Sequence, residues 1–214
     1  MLVLALDTSS AAVTAAVVRV SQELELLAER VTVNSRGHGE LLAPEIAAVL
    51  TEARVVVGDL AAIVVGTGPG PFTGLRVGLV TAAVLGDTLG IPTYGVCSLD
   101  GMVHEDETLL VASDARRREV YWARYVAGER VAGPEVAYPA EVPPWDGPMA
   151  GAGARLYADV LGGDLLDRDY PSALALARVA GGRVRRSAPS EALTPLYLRR
   201  PDAEVPHAPK QVTV

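Results

Sequence analysis

The feature that most constrains the fold is a glycine- and proline-rich loop at residues 66–74, which reads GTGPGPFTG. It joins a short apolar run, Ala61–Val65, to an apolar helical pattern that extends from about Thr73 to Leu89. A buried strand followed by a tight loop and a helix is typical of α/β proteins. The loop is neither a Walker loop nor a Rossmann fingerprint, because it lacks the Gly-Lys-Ser/Thr sequence of the first and the glycine spacing of the second.

The patterns on either side predict more of the same architecture. Short runs rich in Val and Leu indicate strands, and apolar residues at three- and four-residue spacing indicate a helix before the loop. The predicted strands are Leu2–Leu6, Val13–Val18, Leu26–Val33, Ala61–Val65 and Tyr94–Val96, and the predicted helices are Gly39–Ala53 and Thr73–Leu89. We expect Pro44 to lie in the first turn of its helix or to mark a kink.

The second half of the chain repeats, in shorter form, the first half's pattern of two strands around a polar turn. Strands are predicted at Leu109–Ser113 and Val120–Val126, around the polar turn Asp114–Glu119. Irregular chain at Pro134–Pro148, a helical stretch at Ser172–Ala180 and an extended or mobile tail from Pro201 complete the prediction. We therefore predict an α/β fold with mixed sheets and two domains, residues 1–100 and 101–214.

Small residues recur every four positions along the second helix, at Gly74, Gly78, Ala82 and Gly86. Glycine inside a helix costs roughly 1 kcal/mol relative to alanine, so another gain must offset this small-residue ridge. The gain we favour is the close approach of a second helix backbone. Because the other faces of the helix are apolar too, we predict that the ridge meets a partner protein. Burial against this chain's own sheet or second domain is the alternative.

Two segments are candidates for binding phosphate. The turn Asp7-Thr8-Ser9 offers a carboxylate and hydroxyls, which suit a hard cation and a nucleotide phosphate. A hydroxyl turn that closes a hairpin is the alternative, and the lack of Lys or Arg before Arg19 favours it. In the loop, Gly68, Gly70 and the predicted N-cap Thr73 could present free amides to an anion, with a purely structural loop as an equal alternative.

Other kinds of site find little support. His38, His104 and His207 have no helical metal-ligand spacing, and no Gly-x-Ser-x-Gly elbow is present. The single cysteine, Cys97, is interpreted as a small buried hydrophobe at a strand end. These observations predict no catalytic residue and no metal site.

Charge and hydropathy bear on nucleic-acid binding and on membrane insertion. A net charge of −7 argues against strong nucleic-acid binding by this chain alone, and we interpret the basic residues around Arg183–Arg186 as a solvated loop. The longest apolar candidate, Val77–Leu85, is too short to span a bilayer. We expect a protein that is not embedded in a membrane, and a single cysteine, which allows no intramolecular disulfide, favours the reducing cytoplasm.

Four motifs carry a family resemblance. LALDTSS, GTGPGPFTGLRVGL, SDARRREVYWARY and PLYLRR resemble, in this order and spacing, the bacterial TsaB family, also called YeaZ. The resemblance implies a fold like actin, the heat-shock chaperone ATPases and the sugar kinases, with the second domain reduced. It also implies a non-catalytic subunit that activates the homologous TsaD. That enzyme transfers threonylcarbamoyl to the tRNA adenosine beside the anticodon, with the ATPase TsaE as a third component.

The resemblance also bears on individual residues. The His-x-x-x-His metal pair of TsaD corresponds here to His38 and Leu42, which implies that the metal is lost. Arginines at 116–118 replace the paired glycines of its second phosphate loop, which argues against an intrinsic ATP site. A nucleotide at the joint surface with TsaD remains open, as does a homodimer of the isolated chain. Pairing of the first domain's helices with TsaD would place these residues at the interface: Leu42, Ile46, Val49, Leu75, Gly74, Gly78, Ala82 and Gly86.

Two rival functions remain. A nucleotide phosphotransferase or ATPase of the actin-like fold is the alternative to the accessory-subunit hypothesis. A peptidase, suggested by an old name for this superfamily, is the third hypothesis. In the accessory-subunit hypothesis, tRNA is reached only through the complex.

Overall fold

The computed structural model describes residues 1–199, which form two five-stranded mixed sheets with helices packed on them. The elements of the first half are β1 Leu2–Asp7, β2 Ala12–Val20, β3 Leu24–Val33, α1 His38–Ala53, β4 Leu60–Gly66, α2 Phe72–Leu89 and β5 Thr93–Val96. Those of the second half are β6 Leu109–Asp114, β7 Val120–Val126, β8 Glu129–Ala137, β9 Pro148–Ala150, α3 Ala152–Leu156, α4 Ala158–Leu161, β10 Asp164–Leu165 and α5 Ala173–Arg185.

The first sheet has the strand order β3-β2-β1-β4-β5. Strand β1 is antiparallel to β2 and parallel to β4, which is itself parallel to β5. Side chains of β1 alternate between two cores: Leu4 and Leu6 pack with α1 and α2, whereas Val3 and Ala5 pack with α5 on the other face. Burial on both faces explains why β1 is apolar at every position from Leu2 to Leu6.

The second sheet repeats this topology with the order β8-β7-β6-β9-β10. Strand β6 is antiparallel to β7 and parallel to β9, as β1 is to β2 and β4. Its helices α3 and α4 span five and four residues, where α1 and α2 span 16 and 18. The predicted α/β class, with two related domains of which the second is reduced, is confirmed.

Helix α5 returns from the second half of the chain to the first sheet. Its buried residues Leu176, Ala177 and Ala180 pack in one core with Val3 and Tyr94. A division at residue 100 therefore does not describe the packing of α5, which the predicted boundaries placed in the second domain. The segment after α5 follows the same sheet, where the Leu196 amide donates to the Thr67 carbonyl at 2.8 Å.

Several local predictions were wrong. Strand β8 occupies the beginning of the stretch predicted as irregular, because the prolines there hide its pattern. Helix α5 continues to Arg185, so the basic residues interpreted as a loop form its last turn, and packing on the sheet overrides the low helix propensity of Gly181 and Gly182. Pro44 lies inside α1 beyond its first turn, which excludes the first of its two predicted placements and leaves the kink as a prediction. The predicted tail from Pro201 lies outside the described residues.

An ion pair in the second half of the chain makes a pH-dependent contribution to stability. Arg168 donates from Nη1 to Glu107 Oε2 at 2.7 Å and from Nη2 to Oε1 at 3.0 Å. Hydrogen bonding from Arg168 lowers the pKa of Glu107 from 4.5 to about 2. Because the pKa is lowered in the folded state, this stabilisation is present above pH 4.5 and is lost as the pH falls toward 2.

We expect Glu107→Gln to be less stable than the wild type by about 1 to 2 kcal/mol at pH 6, a value reduced for partial solvent screening. The difference should shrink at pH 3, because the unfolded wild type then binds a proton at Glu107 while the folded protein largely keeps the charge. Urea unfolding of both proteins at the two pH values measures it. A difference that stays constant with pH would contradict the assignment.

Candidate functional site

The turn after β1 is closed by its own hydrogen bonds. The Asp7 carboxylate is fully buried; its Oδ1 accepts from the Ser9 amide at 2.9 Å and from Ser9 Oγ at 2.8 Å. Its Oδ2 accepts from Ser98 Oγ at 2.6 Å. Burial raises the pKa of Asp7, partly opposed by these hydrogen bonds. Both carboxylate oxygens therefore accept hydrogen bonds from this chain's own groups, and the geometry is that of the structural turn weighed as an alternative above.

Thr8 joins the same turn to helix α2. Its Oγ1 donates to the Gly74 carbonyl at 2.8 Å and accepts from the Gly78 amide at 3.0 Å. The amide of Gly78 lies in the helix, so the threonine hydroxyl is inserted directly against the α2 backbone. Such an approach requires the absence of a side chain at this position of the helix.

The glycine-rich loop packs tightly against the Asp7–Ser9 turn. A Cβ atom on Gly66 would lie 1.8 Å from Asp7 Oδ2, and one on Gly70 would lie 2.1 Å from the Ser9 carbonyl oxygen. The Gly68 amide donates to Ser98 Oγ at 3.0 Å. Close contact between the two segments explains these glycines. Of the predicted phosphate-loop residues, Asp7, Thr8, Ser9, Gly68 and Gly70 meet in one buried unit.

Thr73 differs from the other predicted loop residues. It is exposed and lies inside the first turn of α2, whose N-cap position is Pro71. The prediction of Thr73 as the N-cap is therefore wrong, because the N-cap lies two residues earlier, at Pro71, and the helix begins at Phe72.

Ser98 is the residue of this unit that the sequence did not reveal. Its hydroxyl donates to Asp7 and accepts from the Gly68 amide. The two partners lie 91 and 30 positions away along the chain, so no local motif signals the contact.

The small-residue ridge faces this chain's own first sheet. A Cβ on Gly74 would lie 2.9 Å from the Thr8 carbonyl oxygen, one on Gly78 2.6 Å from Thr8 Oγ1, and one on Gly86 2.4 Å from Thr93 Cγ2. The other residues predicted at the partner interface are buried in the same core: Leu42, Ile46, Val49, Leu75 and Ala82. Their assignment to an interface is wrong, because these side chains fill the space between the helices and the sheet.

The opposite face of α2 is exposed and largely apolar. Phe72, Val80 and Val84 are 51%, 59% and 58% exposed, and they lie with Arg76 in one row of four-residue spacing. We call these four residues the outer row. The Arg76 guanidinium lies 3.6 Å from the centroid of the Phe72 ring, and its Nε donates to Tyr197 Oη at 2.8 Å. The row therefore begins at an ordered cluster of one cation and two aromatic rings.

Helix α2 is long and apolar. Among residues 1–199 it is the one helix whose length and composition would allow it to cross a membrane, with a third of its residues buried. One such helix is weak evidence for a membrane span, because core helices pass the same test. The glycines of α2 press against the turn after β1 and against β5, so one face of the helix is packed on this chain's own first sheet.

His38 is buried beside the unit formed by the Asp7–Ser9 turn and the glycine-rich loop. Its Nε2 is 2.8 Å from the Ser10 carbonyl oxygen, a contact in which the ring nitrogen must donate. A nitrogen that carries this proton cannot also bind a metal ion. Across residues 1–199 no group of three or more His, Cys, Asp or Glu side chains is arranged to hold one.

Cys97 is buried next to this unit, at the end of β5. Burial is the largest cause that raises the pKa of its thiol, to about 11. The thiolate is therefore scarce at neutral pH, which fits the interpretation of Cys97 as a small core residue.

A cavity of about 580 Å³ lies between the two lobes, which are the parts of the molecule built on the first and on the second sheet. Residues of the β1–β2 turn line one side of the cavity and residues of the β6–β7 turn line the other. These two turns occupy equivalent positions in the two sheets. Its polar lining consists of Ser9, Ser10, Ser35, Ser113, Asp114, Arg116, Arg155, Asp169 and Tyr170. Arg155 is paired with Asp167 and Asp169, so its charge is already balanced.

The repeated sheet and the cleft between its two copies make this chain an α/β protein of the actin-like ATPase fold. Comparison with known families agrees: the family described as "TsaD: tRNA N6-adenosine threonylcarbamoyltransferase" matches residues 25–161. Within this group the chain belongs to the TsaB family, also called YeaZ.

Individual relatives support this assignment. A structure from Pseudomonas aeruginosa, described as an uncharacterized protein similar to peptidase YeaZ, has 31% identity and a TM-score of 0.78, covering 92% of this chain and 99% of that one. The Bacillus subtilis tRNA threonylcarbamoyladenosine biosynthesis protein TsaB is 34% identical over 58% of this chain and 55% of its own length. An uncharacterized Mycobacterium tuberculosis protein is 50% identical over 94% of this chain and 93% of its own.

Proposed function

We propose that this chain is a non-catalytic subunit required for threonylcarbamoyladenosine formation on tRNA, and that it binds and activates a TsaD-type catalytic subunit. Membership of the TsaB family supports the pathway, since the Bacillus subtilis relative is named a biosynthesis protein for this nucleoside. The match to the TsaD family supports a common origin with the catalytic subunit.

The observation that carries the proposal is the outer row of α2. Three large apolar side chains that are more than half exposed on one helix face are unusual on a surface without a partner. Their four-residue spacing forms the kind of ridge that packs into the groove of another helix. Val80 and Ala83 also line a groove of about 850 Å³ beside this row, which offers further surface to the same partner.

The state of the other sites supports a non-catalytic role. A kinase or ATPase of this fold would need a carboxylate open to Mg²⁺, yet the carboxylate of Asp7 is enclosed by Ser9 and Ser98. The nitrogen of His38 that faces Ser10 is occupied as a donor. We therefore assign the chemistry to the partner and no intrinsic cofactor to this chain.

Four further parts of the proposal concern the assembled complex. TsaE acts as the third, ATP-hydrolysing component, and tRNA is bound by the complex rather than by this chain alone. Any nucleotide lies at the joint surface with TsaD. The complex works in the cytoplasm.

The test is reconstitution from purified components. We expect threonylcarbamoyladenosine to form when this chain, TsaD from the same cell, TsaE, tRNA, ATP and threonylcarbamoyl-adenylate are combined, and to fall to background when this chain is omitted. We also expect the isolated chain to hydrolyse no ATP. Full product without this chain would refute the proposal, as would ATP turnover that depends on Asp7.

A further inference from the structure

The turn between β6 and β7 has an unusual backbone. Arg116, Arg117 and Arg118 are consecutive and all have positive φ, at 65°, 51° and 66°. The left-handed conformation costs roughly 1 to 2 kcal/mol for a residue other than glycine. Glycine or asparagine would close a hairpin with less strain. Three arginines in this conformation therefore indicate that their side chains matter more than the ease of closing the turn.

The surrounding structure holds the strained turn in place. The Arg116 amide donates to Asp114 Oδ1 at 2.9 Å, and the Ala115 amide donates to the Glu119 carbonyl at 3.0 Å. Arg199 reaches it from the C-terminal segment, donating from Nη1 to the Ala115 carbonyl at 3.2 Å, with its Nε 3.3 Å from Glu119 Oε2. The backbone from 114 to 119 is thus anchored at both ends, and the three arginine side chains start from a fixed base.

The three side chains form a cationic surface on an acidic protein. All three are exposed, although the net charge of the chain is −7. Asp114 Oδ2 is 3.9 Å from Arg116 Nε, a weak pairing, and within residues 1–199 Arg118 makes no ion pair. A guanidinium presents a fork of N–H donors that matches the oxygens of a phosphate group.

We propose that the turn 114–119 binds the phosphodiester backbone of tRNA when this chain works in the modification complex; the inference rests on the proposed function. An extended polyanion fits better than a free nucleotide because, of the three arginines, only Arg116 lines the cavity between the lobes. Arg117 and Arg118 extend the basic surface outside that cavity, where successive phosphates of one strand can be contacted together.

The test compares variants that remove equal charge. Arg116→Gln/Arg118→Gln removes two charges from the turn, and the control Arg185→Gln/Arg186→Gln removes two exposed charges from the end of α5. Arg116→Lys/Arg118→Lys restores the charge. Fluorescence anisotropy with a labelled tRNA transcript gives Kd at several KCl concentrations, for the isolated chain and for its mixture with TsaD.

We expect the Gln variant of the turn to bind tRNA about tenfold more weakly in the mixture, and the slope of log Kd against log salt to fall by roughly two. The Lys variant should recover the slope, and the control should match the wild type. Unchanged binding, an equal loss in the control, or no tRNA binding by either wild-type preparation would overturn the inference. So would a loss of ATP affinity with tRNA affinity intact, since the ligand would then be a free nucleotide.

The reconstituted reaction separates this inference from the function on which it rests. Product formation by the wild-type complex together with unchanged tRNA binding by the Gln variant would overturn the RNA contact alone. No product from the wild-type complex, with tRNA binding still dependent on Arg116 and Arg118, would overturn the proposed function alone.

Discussion

Gly78→Leu is expected to lower the stability of the folded protein, because residue 78 is packed inside this chain and not at a partner interface. A Cβ at this position would lie 2.6 Å from Thr8 Oγ1, and the rest of the leucine would have to displace the β1–β2 turn. The hydroxyl of Thr8 would also lose its contacts with the α2 backbone. Overpacking costs about 1 to 3 kcal/mol, and each lost buried hydrogen bond adds about 1 kcal/mol. We expect a loss of roughly 3 kcal/mol, or about 6 to 12 °C in Tm.

The control for this variant is Ala83→Leu, which adds a leucine to an exposed position of the same helix. Its Tm should stay within about 1 to 2 °C of the wild type, since exposed helix positions tolerate leucine well. Thermal melts of the three proteins decide the question. A Gly78→Leu protein with wild-type Tm and reduced affinity for TsaD would return the glycine ridge to the partner interface.

Val80→Glu/Val84→Glu is expected to abolish binding to TsaD while the fold stays intact. Both valines are almost 60% exposed and lie one turn apart in the outer row. Burying two carboxylates without partners in an apolar interface is costly, and central interface residues often contribute 2 kcal/mol or more each. We expect at least 100-fold weaker binding, measured by calorimetry with purified TsaD, and loss of product in the reconstituted reaction.

The matched control places the same two changes elsewhere. Val131→Glu/Val160→Glu alters two valines of the second lobe that are 59% and 55% exposed, one on β8 and one on α4. This variant should bind TsaD like the wild type. If both double variants bound equally well, the outer row would not be the interface. If both lost affinity equally, a general charge effect would explain the result.

The small-residue ridge and the outer row of α2 show which features can be predicted from the sequence and which cannot. The pattern predicted the helix to within one residue at its start, and it singled out the glycines as evidence of a close backbone approach. It could not say what approaches, because α2 is apolar on nearly every face. The decisive contact comes from Thr8, which lies 66 to 70 positions away. The outer row is offset by two positions, which is about half a turn of helix.

The same limit applies to the rest of the site and fold. Strand β7 was predicted at its observed bounds, Val120–Val126, because a run of valine and aromatic residues after a polar turn is a local signal. The enclosure of Asp7 by Ser98 was not predictable, since it depends on how β1 and the end of β5 meet. Strand β8 was missed because Pro134 argues against a strand when its neighbours are unknown.

The return of α5 to the first sheet has a consequence for how the protein is made. The ribosome releases β1 to β5 long before it synthesises α5, so one face of the first sheet waits uncovered while the second lobe is translated. That face carries Val3, Ala5, Val18, Val64 and Tyr94, all buried in the finished protein. We therefore expect holding chaperones to bind the nascent chain during this interval, and we expect neither half to fold completely on its own.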